Sequence, residues 1–410
     1  HGFPPDMGGA SNRAWNIAKA LQANGHEVFV IAAYPYYPHG RVSPQYSRRL
    51  FTRERFHGLE TIRVWIPSLQ TKGYFRRLII YVAFTISYSI GQLLLVSRRL
   101  DLVYYVSPYA LSILSFPAIL FGRLSGARVF LDVADLWPEV ILEIGRIRTP
   151  MAVTLANTMA RIASALSELT TPITESIRLR LEELGVPRRK LEVVELAVDT
   201  DHFRPRTRRF VDNRFRGRFV AEYSGIIGPK YDFASLIEAA RIVARRNPRI
   251  LILIRGEGEW LPYVKKSAMS VRNVLVLDKI ESEDTVLDYL NAADVLLCPM
   301  RDLKETSTIV PSKVLEYFAV GKPVVCSGRG EIQTVLEIYD SGIIVQPNSP
   351  EALAEAIVKL ETDKQLCEAL ARNARELAIR RYSLMTLSRR MKVLLQGVSL
   401  NRRECAQVPS

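Results

Sequence analysis

Short apolar runs alternate with amphipathic stretches along almost the whole chain, and this alternation predicts an α/β protein. In the first half, five runs of β-branched or apolar residues are predicted strands: His26–Ala33, Thr61–Ile66, Asp101–Ser107, Ala127–Val133 and Lys190–Leu196. Because helical patterns lie between most of these runs, we expect a doubly wound parallel sheet with helices on both faces.

A second series of six runs follows: Arg218–Ser224, Arg249–Arg255, Asn273–Asp278, Asp294–Pro299, Lys322–Ser327 and Gly342–Pro347. The segment 204–218 between the two series is basic and lacks apolar periodicity, which is typical of a linker. We therefore predict an N-terminal domain over 1–205, a C-terminal domain over 206–380, and a helix over 381–400 that packs back across the linker. Because doubly wound domains bind ligands at the carboxyl ends of their strands, we expect the two domains to face each other across a cleft.

The chain opens on HGFPPDMGGASNRAWNIAKAL, a pattern that predicts a loop followed by a helix. A strand should precede such a loop, and none does. We therefore expect the sequence to be clipped at its start or to begin at an unusual site.

One stretch complicates the expectation of a soluble protein. Residues 78–97, LIIYVAFTISYSIGQLLLVS, carry no charge, and pairs of arginines flank them. The length of about twenty residues matches a membrane span, but Thr, Ser, Tyr, Gly and Gln dilute its apolar character. Three alternatives stay open: a spanning helix, an interfacial helix on anionic lipid, or a buried core helix.

The net charge of +14 favours an anionic partner; nucleic acid, anionic lipid and phosphorylated ligands all have the right sign, and the charge alone does not choose among them. No recognised nucleic-acid-binding module occurs in the sequence, so we predict no nucleic-acid partner. The four cysteines show neither a CxxC motif nor a Cys/His metal spacing. They predict reduced thiols in a cytoplasmic protein rather than disulfides.

The stretch TSTIVPSKVLEYFAVGKPVV, residues 306–325, predicts a helix from Ser312 to Val320 that stops at Gly321. Ser312 and Glu316 lie four residues apart and share one face of this helix. Free N–H groups at the helix N-terminus suit a diphosphate, and a carboxylate behind them can accept hydrogen bonds from ribose hydroxyls. The alternative is that Glu316 is a solvated residue stabilised by the helix dipole.

Several motifs together carry a family resemblance. VPSKVLEYFAVGKPVV resembles the nucleotide-sugar-binding helix of family 4 glycosyltransferases, which have the GT-B fold, and PPDMGGASNRAWNIAKAL resembles their opening glycine loop and first helix. DVADLWPE is similar to a signature of the subset that builds bacterial surface polysaccharides. YSGIIGPKYDFASLIEAA and RGEGEW resemble the phosphate loop and glycine turn of the second domain. The resemblance covers nearly the whole chain.

The resemblance implies a donor site in which Glu316 binds the ribose and Lys230 the diphosphate. Thr308 stands where many members have a second glutamate that binds the sugar, and Ile226 stands where an arginine is usual. Backbone N–H groups or the Thr308 hydroxyl are then expected to contact the sugar. The remaining residues of the predicted donor site are Gly8, Gly9, Gly225, Gly256, Lys279, Pro311 and Ser312.

Asp135 is the predicted catalytic residue of the first domain, where it would orient or deprotonate the acceptor hydroxyl. The alternative is a carboxylate that caps a turn, and Ala134 replaces the arginine that the subset usually has before this Asp. The Asp199-Thr200-Asp201 sequence looks like a metal-binding DxD motif, but we predict a turn there. The resemblance implies that catalysis needs neither a metal nor a cofactor.

The function implied is that of a retaining glycosyltransferase of polysaccharide or lipopolysaccharide biosynthesis in the cell envelope. Its donor would be a UDP- or GDP-sugar and its acceptor a lipid-linked glycan, through a polyprenyl pyrophosphate. We expect a cytoplasmic protein that binds peripherally to the anionic inner face of the cell membrane. Two alternatives stay open: a sugar-nucleotide 2-epimerase, and an inactive scaffold that binds a sugar nucleotide.

Overall fold

The computed structural model describes residues 1–6, 8–36, 41–46, 49–69, 74–106, 112–135, 149–207, 212–278 and 282–405. The chain divides into two compact units: His1–Leu196 together with Leu387–Ser410, and Ala197–Thr386. The predicted domain bounds at residues 205 and 380 both lie within the second unit.

The described strands of the first unit form two sheets. The strands are β1 Phe29–Ala33, β2 Phe51–Phe56, β3 Leu59–Val64, β4 Leu102–Val106, β5 Arg128–Val133 and β6 Leu169–Pro172. One sheet has three parallel strands in the order β4-β5-β6. The other has the order β1-β3-β2, in which β1 and β3 are parallel and β3 and β2 are antiparallel. The helices are α1 Gly9–Ala23, α2 Tyr74–Leu93, α3 Phe116–Leu124, α4 Pro150–Leu166 and α5 Glu175–Glu183. Short 3₁₀ helices cover Pro44–Tyr46, Ile113–Ser115 and Arg188–Lys190.

The first four strands predicted from the sequence are confirmed as β1, β3, β4 and β5. The fifth prediction, Lys190–Leu196, is wrong: this segment is not a strand, although it forms an isolated bridge between Leu191 and Thr170 and its Glu192 and Val194 N–H groups donate to carbonyls of the neighbouring Leu169–Pro172 segment. Its carbonyls at Val194 and Glu195 accept hydrogen bonds from the Arg13 guanidinium, at 2.7 and 2.6 Å, and so contact a side chain rather than a further strand.

The described strands of the second unit are β7 Phe219–Ser224, β8 Ile250–Arg255, β9 Val274–Leu277, β10 Val295–Pro299, β11 Val324–Ser327 and β12 Gly342–Val345, and they confirm all six predictions. They form a parallel sheet in the order β12-β11-β10-β7-β8-β9. The helices of this unit are α6 Phe233–Arg246, α7 Leu261–Ala268, α8 Glu283–Ala292, α9 Lys304–Ser307, α10 Ser312–Ala319, α11 Glu331–Ile338, α12 Pro350–Thr362 and α13 Lys364–Arg381. A 3₁₀ helix covers Asn213–Phe215, and the last helix, α14 Leu384–Cys405, belongs to the first unit from Leu387 onward.

The strand order of the second unit places a topological switch point between β7 and β10. From β7 the chain proceeds outward through β8 and β9, then returns to add β10, β11 and β12 on the other side. The loops after β7 and β10 therefore leave the sheet in opposite directions and open a crevice at its carboxyl edge. This crevice is where doubly wound domains bind their ligands.

Helix α2 accounts for most of the uncharged stretch 78–97. Its buried face, with Ile80, Phe84 and Tyr88, packs in an apolar core that also contains Ile62 and Val64 of β3. Its other side leaves a second row of apolar side chains exposed: Ile79, Val82, Ile86, Ile90 and Leu93. Within the residues that the structure describes, no helix is long and apolar enough to cross a membrane.

Candidate functional site

Two glycine turns build the floor of the crevice in the second unit. Gly225 follows β7 with φ 134°, and Gly256 follows β8 with φ 148°, so both adopt the left-handed backbone that favours glycine. A Cβ atom on Gly256 would lie 1.8 Å from the carbonyl oxygen of Gly225. The two turns therefore pack in direct contact, which only glycine at position 256 permits.

Tyr317 fixes helix α10 against the end of β7. Its buried hydroxyl donates to the Ser224 carbonyl at 2.8 Å and accepts from the Ser224 backbone N–H at 3.0 Å. The Arg255 guanidinium donates to the Ser224 hydroxyl at 2.8 Å. These bonds fix the position of Ser224, the residue before Gly225. They also attach helix α10, which carries Glu316, to Ser224.

Helix α10 runs from Ser312 to Ala319, within one residue of its predicted end, and Pro311 is its N-cap. Gly321 follows with φ 65°, as expected of a helix stop. The cap is a proline, which makes no side-chain hydrogen bond to the first N–H groups of this helix. The helix N-terminus therefore keeps donors for an anionic ligand.

Glu316 is half-buried on the second turn of α10. Burial raises the pKa of its carboxyl to about 7, and the nearby Glu283 carboxylate adds to this effect, while Lys313 and Arg255 oppose it. Among the described residues, no side chain or backbone group donates a hydrogen bond to this carboxylate. A half-buried acceptor of this kind is suited to ligand hydroxyl groups.

The remaining predicted donor residues of this unit lie around the same crevice. Lys230 is on the turn between β7 and α6, and its carbonyl accepts from the backbone N–H of Arg301, two residues after β10. Thr308 is the C-cap of α9 and precedes Pro311 in the connection to α10. Lys279 lies outside the described residues. The structure thus brings Gly225, Gly256, Lys230, Pro311 and Glu316 to one edge of the sheet.

Lys313, which the sequence analysis did not single out, is part of this site. Its Nζ lies 2.7 Å from the Tyr223 hydroxyl and stands 4.0 and 3.9 Å from the ring centroids of Tyr223 and Tyr231. The helical spacing of Lys313 from Glu316 and Tyr317, three and four residues, places all three on one face of α10. That spacing was the signal available in the sequence.

The predicted residues of the first unit lie at the ends of α1 and β5. Gly8, with φ 131°, is the N-cap of α1, Gly9 is its first residue, and Asp135 follows β5. Arg13, one turn into α1, forms a buried bidentate ion pair with Asp132 of β5, at 2.8 and 3.1 Å. This pair holds the glycine turn of α1 close to the strand end that carries Asp135.

The Asp199-Thr200-Asp201 segment forms a turn. The Asp199 carboxylate accepts hydrogen bonds from the backbone N–H groups of Asp201 and His202, both at 3.0 Å. This carboxylate is therefore occupied in shaping the backbone, as predicted. Within the described ranges, no group of three or more His, Cys, Asp and Glu side chains is arranged to hold a metal ion.

Solved structures with the same architecture define the fold class. Sucrose-phosphate synthase from Thermosynechococcus elongatus matches with a TM-score of 0.70 at 15% identity, over 96% of this chain and 94% of that one. The Anabaena protein HepE, solved in complex with UDP-glucose, matches with a TM-score of 0.64 at 14% identity, over 90% and 99%. The fold is that of the GT-B glycosyltransferases.

Comparison of the sequence with protein-family models identifies its family. The Glycosyl transferase 4-like domain matches residues 8–197, and the domain described as Glycosyl transferases group 1 matches residues 206–377. The chain belongs to the glycosyltransferase family that combines these two domains.

Three of the curated relatives are named for bacterial polysaccharide biosynthesis. The putative colanic acid biosynthesis glycosyl transferase WcaI of Escherichia coli is 25% identical over 87% of this chain and 89% of its own length. The putative colanic acid biosynthesis glycosyltransferase WcaL of the same species is 26% identical, over 56% of this chain and 57% of its own length. The amylovoran biosynthesis glycosyltransferase AmsK of Erwinia amylovora is 25% identical, over 48% of each chain.

Proposed function

We propose that this glycosyltransferase moves a sugar, with retention of configuration, from a UDP- or GDP-sugar to a lipid-linked glycan in polysaccharide biosynthesis. The names of the colanic acid and amylovoran relatives support the process. UDP-glucose in the HepE complex and a GDP-mannose-dependent mannosyltransferase of Mycobacterium tuberculosis among the relatives support the donor class.

The observation that carries the proposal is the half-buried Glu316 carboxylate one turn behind the N-terminus of α10, at the switch point of the second unit. Two ribose hydroxyls can donate to its two oxygens, and the N–H groups near Ser312 can then donate hydrogen bonds to the diphosphate oxygens. The Gly225 turn lets the backbone approach the phosphates closely.

In this proposal the protein acts mainly on the leaving group. As the bond between the sugar and the diphosphate breaks, negative charge grows on the phosphate oxygens, and Lys230 together with the N-terminus of α10 stabilises it. Asp135 of the first unit orients the acceptor hydroxyl or accepts its proton. The acceptor oxygen then attacks from the face that the diphosphate leaves, which retains the anomeric configuration without a metal.

The test is a thermal-shift panel with UDP, GDP, ADP, CMP and their common sugar conjugates. We expect one nucleoside diphosphate and its sugars to raise the unfolding temperature, since a ligand that binds only the folded state stabilises it by mass action. A panel in which no nucleotide stabilises the protein would contradict the donor assignment. Formation of an epimer without acceptor, followed by NMR, would instead favour the sugar-nucleotide 2-epimerase.

We also propose that the first unit binds the anionic surface of the membrane through helix α2. The exposed apolar side chains of α2 border an open groove of about 600 Å³. Apolar side chains of α2 and α3 form most of the lining of this groove, and Arg123 is also part of it. Arg76, Arg98 and Arg99 are exposed near the two ends of the row. An apolar row with cationic ends suits the boundary between acyl chains and anionic headgroups.

Co-sedimentation with liposomes tests this surface. We expect the protein to bind vesicles that contain phosphatidylglycerol at low salt, and to be partly released at high salt because screening weakens the arginine contribution. Ile86→Glu should reduce the bound fraction several-fold, because it buries a charge in the acyl boundary. Ile338→Glu, an equally exposed isoleucine of the second unit, is the matched control and should bind like the wild type. A wild type that stays in the supernatant at low salt would disprove the proposal.

A further inference from the structure

Lys313 sits in an unusual place for a lysine. Its ammonium is enclosed by the aromatic rings of Tyr223 and Tyr231 and bonded to the Tyr223 hydroxyl. The Tyr223 hydroxyl in turn donates to the carbonyl of Ile226, in the turn that follows β7. The side chain thus reaches from helix α10 to the Gly225 turn.

The Lys313 ammonium has no carboxylate counter-ion within the described residues. Within the described part of the chain, no carboxylate lies within ion-pair distance of the Lys313 Nζ, and the nearest acidic influences are Cys298 and Glu316. Burial consequently lowers the pKa of Lys313 to about 8. A cation held in this way gains from any anion that comes within reach.

The absence of a side chain at Gly225 brings the Lys313 ammonium against the backbone of the turn after β7. A Cβ atom added to Gly225 would lie 2.7 Å from the Lys313 Nζ, so the missing side chain is what makes room for the ammonium. In the loop from 225 to 230, GIIGPK, the only cationic residue is Lys230, and Ile226 exposes an apolar side chain. The end of β7 therefore has room for a second positive charge, and Lys313 supplies it.

We propose that Lys313 is a second cation of the diphosphate site, whose ammonium pairs with the diphosphate of the bound donor beside Gly225. This inference rests on the proposed function, since it presumes that a nucleoside diphosphate sugar occupies the crevice. It assigns to helix α10 two roles toward one ligand: Glu316 binds the ribose, and Lys313, three residues earlier, binds the phosphates.

Calorimetric titration of Lys313→Met separates this role from a merely structural one. The probes are the nucleoside, its monophosphate and its diphosphate, in the uridine or the guanosine series according to which the wild type binds. We expect the variant to bind the diphosphate about 10- to 100-fold more weakly, the range for one charge-assisted contact, and the nucleoside within about threefold of the wild type. Lys313→Arg should keep most of the affinity for the diphosphate.

Lys359→Met is the control for net charge, because it removes an exposed lysine from helix α12 of the same unit, and it should bind all three probes like the wild type. If Lys313→Met weakens the nucleoside and the diphosphate equally, or neither, Lys313 only supports packing and the inference is overturned. That outcome leaves the proposed function intact as long as the wild type binds the diphosphate and transfers sugar. A wild type that binds no nucleotide overturns both.

Discussion

Replacing Glu316 with alanine is expected to weaken donor binding or turnover by roughly 30- to 1000-fold, which corresponds to about 2–4 kcal/mol. Two hydrogen bonds from ribose hydroxyls to a half-buried carboxylate would be lost. Isothermal titration with the nucleoside diphosphate and an assay of sugar transfer measure the two effects. Glu337→Ala removes an exposed glutamate from helix α11 of the same unit and should leave both values unchanged.

The stability of a second variant, Glu316→Gln, tests whether replacing this carboxylate unfolds the protein; if it does not, weaker donor binding in Glu316→Ala reports a lost ligand contact. The pKa of Glu316 in the folded protein, about 7, lies above its ordinary value, so the folded state is favoured by protonation and loses that stabilisation as the pH rises through 7. Glutamine resembles the protonated form. At pH 8 the variant should therefore be more stable than the wild type, by roughly 1–3 kcal/mol, and at pH 4 the difference should vanish. Wild-type donor affinity and turnover in Glu316→Ala would refute the assignment of this residue.

The sequence predicted the second unit much better than the first. Its strands are short β-branched runs buried between helices and ended by glycine, proline or charged residues, so local pattern and tertiary environment agree. In the first unit the pattern missed β2, whose charged residues Arg53, Glu54 and Arg55 obscure an exposed edge strand that pairs only with β3. It also missed β6, Leu169–Pro172, which has four residues and becomes recognisable only through its pairing with β5.

In the candidate site, too, features that depend on neighbouring residues could be predicted, and a feature that depends on residues distant in the sequence could not. The end of α10 follows from Gly321 and Pro323, and the position of Glu316 follows from helical spacing, so both could be predicted. The burial of Lys313 could not, because it depends on Tyr223 and Tyr231, which lie more than eighty residues earlier in the chain. A lysine in the first turn of a helix predicts a solvated cation unless such partners are known.

The buried ion pair of the first unit leads to the second large expected effect. Arg13 and Asp132 have side chains that are 1% and 0% exposed. Asp132 also accepts hydrogen bonds from the hydroxyls of Tyr104 and Thr171, at 3.2 and 3.1 Å. Asp132→Ala would leave the Arg13 guanidinium buried without a counter-charge, and removal of one partner of such a pair costs about 3–5 kcal/mol. We expect a loss of this size in the free energy of unfolding of the first unit.

Urea unfolding followed by tryptophan fluorescence measures this loss, in a Trp260→Phe background so that the signal comes only from tryptophans in residues 1–196. Glu175→Ala is the matched control, because it breaks an ion pair with Arg178 in which the glutamate is 56% exposed, and it should cost less than about 1 kcal/mol. The double variant Arg13→Met with Asp132→Leu should recover much of the stability, since neither charge then remains buried alone. A loss below 1 kcal/mol in Asp132→Ala would mean that solvent reaches Arg13, and that this pair does not hold the glycine turn of α1 against the end of β5.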